Sequence, residues 1–400
     1  MGQGIRLGRV FGIDIHLDWS LLIIFLLIVV SLGAGTVPAL HPQWSAVTVW
    51  GTALVAAVLF FASVLTHELC HALVGRLHDI RVPRITLFIF GGLAQMENEP
   101  AHWRDELWMA LAGPAASLVL GVIFITLGNL VMGPETFDPG QPRESLERLS
   151  PLATLLMWLG PINIVLGLFN LVPGFPLDGG RVLRAVMWGA SGNRRRATRW
   201  ASRGGQAFAW LLIATGVAMV LGAQVPLFGR GPVNGLWLVL IGWFLNSAAL
   251  SSYQQMLVGQ ALRGVSVRGL MRSDLVTVSP RLTLNELGEA YLGPGGQRAF
   301  PVVEGKRLVG LVTLTDVRAV DRAVWGESPV REIMVPANEL VTVSPDDDAF
   351  KALTTLTRSG VDQLPVAGDG QYQGTVRRRD ILNWLSVYGD PQVARQLEED

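Results

Sequence analysis

Residues 65–76 read LTHELCHALVGR and close an apolar run, VWGTALVAAVLFFASVL, that begins at Val49. The run reaches the roughly 20 residues that a helix needs to cross a bilayer. Ionisable groups inside such a run are costly and ordinarily functional, so a polar patch satisfied within a bundle is the weaker reading. His67 and His71 are four residues apart and share a helix face, the spacing at which two imidazoles hold one zinc ion. Glu68 stands beside them, placed to take a proton from water activated by that ion. The first arginine after His67 is Arg76, nine residues on, so His67 lies roughly 13 Å deeper than that charge. The trio therefore sits within the membrane, near one of its faces.

The whole chain agrees with a membrane setting. Of 400 residues, 50% are hydrophobic and only 16% charged, with a mean hydropathy of +0.39, too apolar for an ordinary soluble protein of this length. Formal net charge is zero, which gives no reason to expect direct nucleic-acid binding. The single cysteine, Cys70, excludes an internal disulfide. Apolar runs predict six spans, at about Trp19–Ala34, Val49–Val74, Leu107–Met132, Pro151–Leu171, Gln206–Ala223 and Gly235–Met256. The first lacks a small-residue cleavage site and is expected to be a retained span. Just before it, Ile13, Ile15 and Leu17 alternate with polar residues in a strand period.

Arginine placement orients these spans. With the N-terminus inside, the inner segments hold Arg6, Arg9, the Arg76–Arg104 group, Arg181, Arg184 and the Arg194–Arg203 group; the outer loops hold only Arg143, Arg148 and Arg230. The positive-inside rule then predicts a multi-pass protein of the cell membrane with both termini cytoplasmic.

A catalytic zinc site has three protein ligands and an open position. The continuation found in soluble metzincins would put Gly and His seven and ten residues after His67, where this chain has Val74 and Leu77. His78, His16, His41 and His102 read as loop or surface residues, and Cys70, about 100° around the helix from His71, as packing. The third ligand is sought in another span ending on the same side. Span four does so, in LFNLVPGFPLDGGRVLRAVM, which contains Asp178. Pro173, Gly174, Pro176, Gly179 and Gly180 predict non-helical backbone there, which is tolerated at membrane depth where it lines a cavity. Taken alone, the segment reads as a turn with Asp178 capping the next helix.

HELCH in span two, NLVPGFPLDGG after span four and FIFGGLAQM between them resemble the site-2 protease family of intramembrane zinc metalloproteases, over roughly Arg6 to Tyr253. The resemblance implies that His67, His71 and Asp178 bind one zinc ion and that Glu68 is the general base. It also implies contact of Asn170 with a substrate carbonyl or oxyanion. In AGPAASL, many members carry asparagine where Ser117 stands, which leaves a polar role for span three open. Ile85, Leu87 and Ile89 alternate with Thr86, Phe88 and Phe90, a strand followed by Gly91 and Gly92. Such a strand can hold a substrate extended by edge addition, or it can be a hairpin packed on the bundle. Implied partners are the bilayer and a single-span client, such as a membrane-tethered transcription regulator or an anti-sigma factor. The rival readings are an inactive scaffold, which would usually have lost Glu68 or Asp178, and a metal transporter, which would want ionisable residues in several spans.

From about Gly264 short strand and helix patterns take over. VRGLMRSDLVTVSP and VREIMVPANELVTVSP open two copies of one repeat, and the pair resembles tandem CBS domains. That resemblance implies a compact α/β module, often adenine-nucleotide-binding and sometimes a dimer contact. Its ribose-contacting threonine and aspartate would be Thr313 and Asp316 in the first copy; the second keeps Asp380 but has Arg377 for threonine. A scaffold role without nucleotide is the alternative. The expected fold is thus a polytopic α-helical membrane protein of about six transmembrane helices, with short membrane-associated β-strands, plus a cytoplasmic α/β tandem CBS module. The expected boundaries are 1–256 for the membrane-embedded protease, 257–264 for a linker, 265–322 and 326–387 for the CBS copies, and 388–400 for an acidic tail.

Overall fold

The computed structural model describes residues 4–89, 91–96, 100–133, 147–225, 229, 231–291 and 297–388. The acidic tail beyond Tyr388 and most of the Pro134–Ser150 loop lie outside the described residues. The chain divides into two compact units, Met1–Tyr253 and Gln254–Asp400.

The first unit opens with a hairpin of β1 (Ile5–Val10) and β2 (Ile13–Leu17), turned at Phe11 and Gly12 with φ of 49° and 75°. Positive φ at both central residues matches the twist of a two-residue hairpin. β2 pairs in parallel with β3 (Arg84–Phe88), which pairs antiparallel with β4 (Gly91–Gln95), so the sheet order is β1-β2-β3-β4. The period-two alternation places Ile13, Ile15, Ile85 and Leu87 on one buried face, packed with Val64 and Ala72. Gly91 and Gly92 are not a turn after the strand, as their residue type suggests; they begin β4, opposite Phe88 and Leu87.

Among the described residues, six helices are long and apolar enough to cross a membrane. The first combines α1 (Ser20–Ser31), a π turn at Leu32–Thr36 and the short α2 (Val37–Leu40). Then come α3 (Ala46–Leu77), α4 (Trp103–Met132) and α5 (Pro151–Asn170), followed, after the short α6 (Asp178–Ser191), by α7 (Arg194–Val220) and α8 (Pro232–Leu262). Two helices start before their apolar stretches because polar caps begin them early, Ser45 accepting from Thr48 N and Asn193 from Arg196 N, whereas Ser150, accepting from Ala153 N, starts α5 where the apolar stretch begins. In lipid, apolar surface alone does not drive helices together, so close backbone approach does. α4 and α5 approach through Gly121 and Gly160, where an added Cβ would meet Ile164 and Ile125.

Two expectations from the sequence do not hold. His41 lies in the loop after α2 but not at the surface: it is 1% exposed, stacked on Trp44, with Nδ1 bonded to Glu147 O and Nε2 to the Thr154 hydroxyl. Burial pushes its imidazole below the ordinary value, against the pull of the Glu147 carbonyl. The broken backbone after α5 also ends earlier than its glycines predict. Asp178, Gly179 and Gly180 are the first residues of α6, and the two glycines serve close approach, since a Cβ at either would strike Leu171 O or the Gly174 backbone.

In the second unit, β5 (Ala299–Glu304) pairs antiparallel with β6 (Arg307–Thr313), and β8 (Gln363–Gly368) pairs antiparallel with β9 (Gln371–Arg377). β7 (Val335–Pro336) adds to β6, and the path through the sheet is β5-β6-β9-β8. Both hairpins carry a register irregularity at the corresponding place, Val302/Val303 and Val366/Ala367. Each copy has its own core, around Phe300, Val302 and Val312 in the first and Leu364, Val366 and Val376 in the second.

Candidate metal centre

α3 presents His67 and His71 on one face, both about 5% exposed. α6 brings Asp178 to them from its first turn. The segment before α6 is fixed against α7: Phe175 N donates to Ala201 O, and Gly174 and Gly205 meet backbone to backbone. Asp178 Oδ2 lies 3.0 Å from Nε2 of His67 and 3.0 Å from Nε2 of His71, and the two Nε2 atoms are 3.2 Å apart. Ligand-type atoms separated by 107 and 111 residues in sequence thus converge.

The far side of each ring is also set. His71 Nδ1 donates to Met109 O at 2.6 Å, and His67 Nδ1 lies 2.9 Å from the Ser117 hydroxyl. Both partners belong to α4: the Met109 carbonyl can only accept, which leaves Nε2 of His71 with a lone pair, and the Ser117 hydroxyl holds the His67 ring in place. Span three therefore does have a polar role: Ser117 is fully buried and supports His67. Gly113, between Met109 and Ser117 on α4, leaves the cradle open, because a Cβ there would collide with Nε2 of both histidines. Two neutral imidazoles and one carboxylate, with a bare glycine opposite, fit a catalytic zinc ion, which is held by nitrogen and oxygen donors with one position kept free.

Glu68 stands next to this triad over β4. A Cβ at Gly92 would strike the Glu68 side chain, and that side chain makes no hydrogen bond among the described residues. Of the other sequence candidates, Asn170 is the last residue of α5 and donates through Nδ2 to Leu166 O at 3.0 Å. One of its N–H groups is therefore held by its own helix, and the second remains. Gly91 and Gly92 lie on β4, the end strand of its sheet. Among the described residues, the group whose ligand atoms lie close enough to share one metal ion is His67, His71 and Asp178.

Sequence reasoning missed the support beneath the triad. Glu106, fully buried in the first turn of α4, is bonded by Arg184 of α6, with Nε to Oε1 at 2.6 Å. This pair ties α4 to α6 about one and a half turns below Asp178. The acidic pair Asp105 and Glu106 in the first turn of a span was the available signal.

In the second unit the two nucleotide candidates differ. Asp316 accepts from Thr313 N at 2.8 Å and from Thr313 Oγ1 at 2.7 Å, capping the helix Leu314–Arg318. Asp380, in the first turn of the helix Arg378–Tyr388, is gripped by Arg377 through two bonds of 2.7 and 2.9 Å and approached by Arg272 at 3.5 Å. Bonding to Asp380 holds the Arg377 proton more firmly than usual. Arg377 is thus turned onto Asp380 rather than outward.

The profile of peptidase family M50 matches residues 55–150 and 143–212, and that of the CBS domain matches 267–322 and 330–387. A protein of Synechocystis sp., named for an inferred zinc metalloprotease activity, is 33% identical over 390 residues, 97% of each chain. The chain belongs to peptidase family M50. Rip3 of Mycobacterium tuberculosis, named in the same inferred sense, is 31% identical over 97% of this chain and 94% of its own. A Methanocaldococcus jannaschii protein named zinc metalloprotease is 27% identical over 97% of both. The site-2 protease structure from Methanocaldococcus jannaschii is 25% identical and covers 62% of this chain and 95% of its own, with a TM-score of 0.41. As an M50 member the chain is a multi-pass membrane metalloprotease of the site-2 type carrying tandem CBS domains, and zinc is the metal of that family.

Proposed function

We propose that this M50 protease hydrolyses peptide bonds in or near transmembrane segments of client proteins. The observation that carries this reading is the convergence of His67 Nε2, His71 Nε2 and Asp178 Oδ2 beside Glu68, next to β4, the end strand of its sheet among the described residues. Zinc, when bound by His67, His71 and Asp178, supplies a Lewis acid that polarises the scissile carbonyl and lowers the pKa of a water toward ~7. Glu68 takes the proton from the attacking water and returns it to the leaving amine. A helical client keeps its peptide bonds covered by internal hydrogen bonds, and pairing with β4 would hold it extended over Glu68. The backbone at Gly91 and Gly92 offers hydrogen-bonding groups along that edge, and the second Nδ2 proton of Asn170 is available to a substrate oxygen.

The arginine distribution favours cytoplasmic termini, so the site would open toward the cytoplasmic leaflet. Impermeant thiol labelling of a cysteine introduced into the 134–146 loop, and not of one near Arg195, would support that orientation in intact cells. The CBS pair is read as a regulator that binds an adenine nucleotide, chiefly through Thr313 and Asp316, and as a surface for a second copy of the chain. The client is a protein with a single span, of the kind that tethers a transcription regulator or an anti-sigma factor.

Purified protein incubated with a model transmembrane peptide tests the reading. Cleavage abolished by a chelator and restored by zinc supports it. Cleavage that persists in chelator with no zinc bound contradicts it.

A further inference from the structure

α6 carries two arginines three residues apart, and they are partnered differently. Arg184 is committed to the buried carboxylate of Glu106. Arg181, three residues after Asp178 and on the same side of the helix, has no carboxylate within 4 Å among the described residues. Its one hydrogen bond there runs from Nη2 to Met96 Sδ, at 3.3 Å. A thioether is a weak acceptor, and a guanidinium has five N–H donors in a planar fork, so most of its capacity is unused. Glu106, Asp178 and Glu68 all pull on the guanidinium from beyond contact range.

The position of Met96 gives this cation a meaning. Met96 directly follows β4, whose Gly92 lies against Glu68. Met96 is four positions after Gly92, about 13 Å along an extended strand at ~3.3 Å per residue. At the same end of the sheet, Arg84 is exposed, pairs in register with Gln95, and has no ion pair among the described residues. This end of the sheet thus carries two guanidinium groups without carboxylate partners among the described residues, Arg181 at Met96 and Arg84 on β3, at a fixed number of strand positions from the chemistry.

We propose that Arg181, with Arg84 on β3 at the same end of the sheet, selects clients bearing an aspartate or glutamate three to four residues from the scissile bond, on the side nearer Met96. This rests on the reading that the client pairs with the edge of β4. A strand added there advances one residue per residue of β4, so the client position beside Met96 is separated from the one beside Glu68 by that spacing. A carboxylate matches the guanidinium fork in a bidentate way. A lysine or arginine at the same client position would face two like charges, and such juxtaposition is a strong means of rejection.

The test uses the full-length zinc-loaded protein in detergent and a transmembrane peptide whose cleavage site has been mapped. Versions carry Asp, Gln or Lys at the third and fourth positions on either side of that site. For the parent enzyme, kcat/KM is expected to fall about tenfold from the Asp to the Lys peptide on one side of the site only. Arg181→Gln should level the series while still cutting the Gln peptide, and Arg181→Glu should reverse it, both with parental zinc content. Equal cleavage of the Asp and Lys peptides by the parent, or an unchanged preference in both variants, overturns the assignment of Arg181. Failure of the zinc-loaded parent to cut any peptide overturns instead the underlying cleft reading, and the proposal with it.

Discussion

The hydroxyl of Ser117 lies 2.9 Å from Nδ1 of His67, with both side chains buried and 50 residues between them in sequence. An imidazole whose second nitrogen is held in this way keeps its aim, and the loss of such a partner typically weakens a metal site ten- to a hundredfold. Ser117→Ala is therefore expected to lower zinc affinity within that range while the protein still folds. Competition with a chromophoric chelator in detergent measures it directly; an unchanged affinity would remove Ser117 from the site.

Two glycines make opposite predictions. A Cβ at Gly113 collides with Nε2 of both histidines, whereas a Cβ at Gly92 meets only the Glu68 side chain. Gly113→Ala should abolish zinc binding and activity together. Gly92→Ala should keep zinc and lose most turnover, because Glu68 is pushed aside. Metal analysis beside cleavage assays separates the two.

The Glu106–Arg184 pair is buried on the carboxylate side and 12% exposed on the arginine side. Removing one partner of such a pair leaves a desolvated charge and commonly costs about 3–5 kcal/mol. Glu106→Ala should lower stability by that order in detergent unfolding, and Glu106→Leu combined with Arg184→Leu should recover much of the loss.

Much of this site is legible in the amino-acid sequence alone. A pair of histidines four apart with an intervening glutamate fixes a helix face, and Asp178 stands out as a carboxylate at the end of another apolar run. The alternation Ile13, Ile15 and Ile85, Leu87 likewise yields the two inner strands of the sheet. What the sequence conceals is which long-range partner completes each group. Nothing local distinguishes Ser117 from a packing serine, or Met109 O from any other helical carbonyl, because those roles are set by where α4 crosses α3. The glycines mislead for the same reason. Gly179 and Gly180 read as helix breakers in isolation, yet they lie in α6 because neighbouring backbone leaves no room for a side chain. His41 is misread because its partners, Glu147 and Thr154, are more than 100 residues away.

The two CBS aspartates should respond unequally to mutation. Asp380 is occupied by Arg377 and Arg272, while among the described residues Asp316 is tied to the neighbouring Thr313 alone. Loss of a charged hydrogen-bond partner costs about 1.5–3 kcal/mol, so Asp316→Ala should weaken adenine-nucleotide binding roughly ten- to a hundredfold. Asp380→Ala should change it far less. Titration calorimetry of the full-length chain with ATP, ADP and AMP compares them, and absence of binding by the parent would favour the scaffold role.

Paired measurement of zinc content and peptide cleavage in Glu68→Gln and Asp178→Ala bears most directly on the division of labour at the centre. Glu68 is assigned the proton and Asp178 the metal. Glu68→Gln should therefore retain about one zinc per chain and lose cleavage, while Asp178→Ala should lose both. An Asp178→Ala protein that binds zinc like the parent and still cuts its substrate would contradict the assignment.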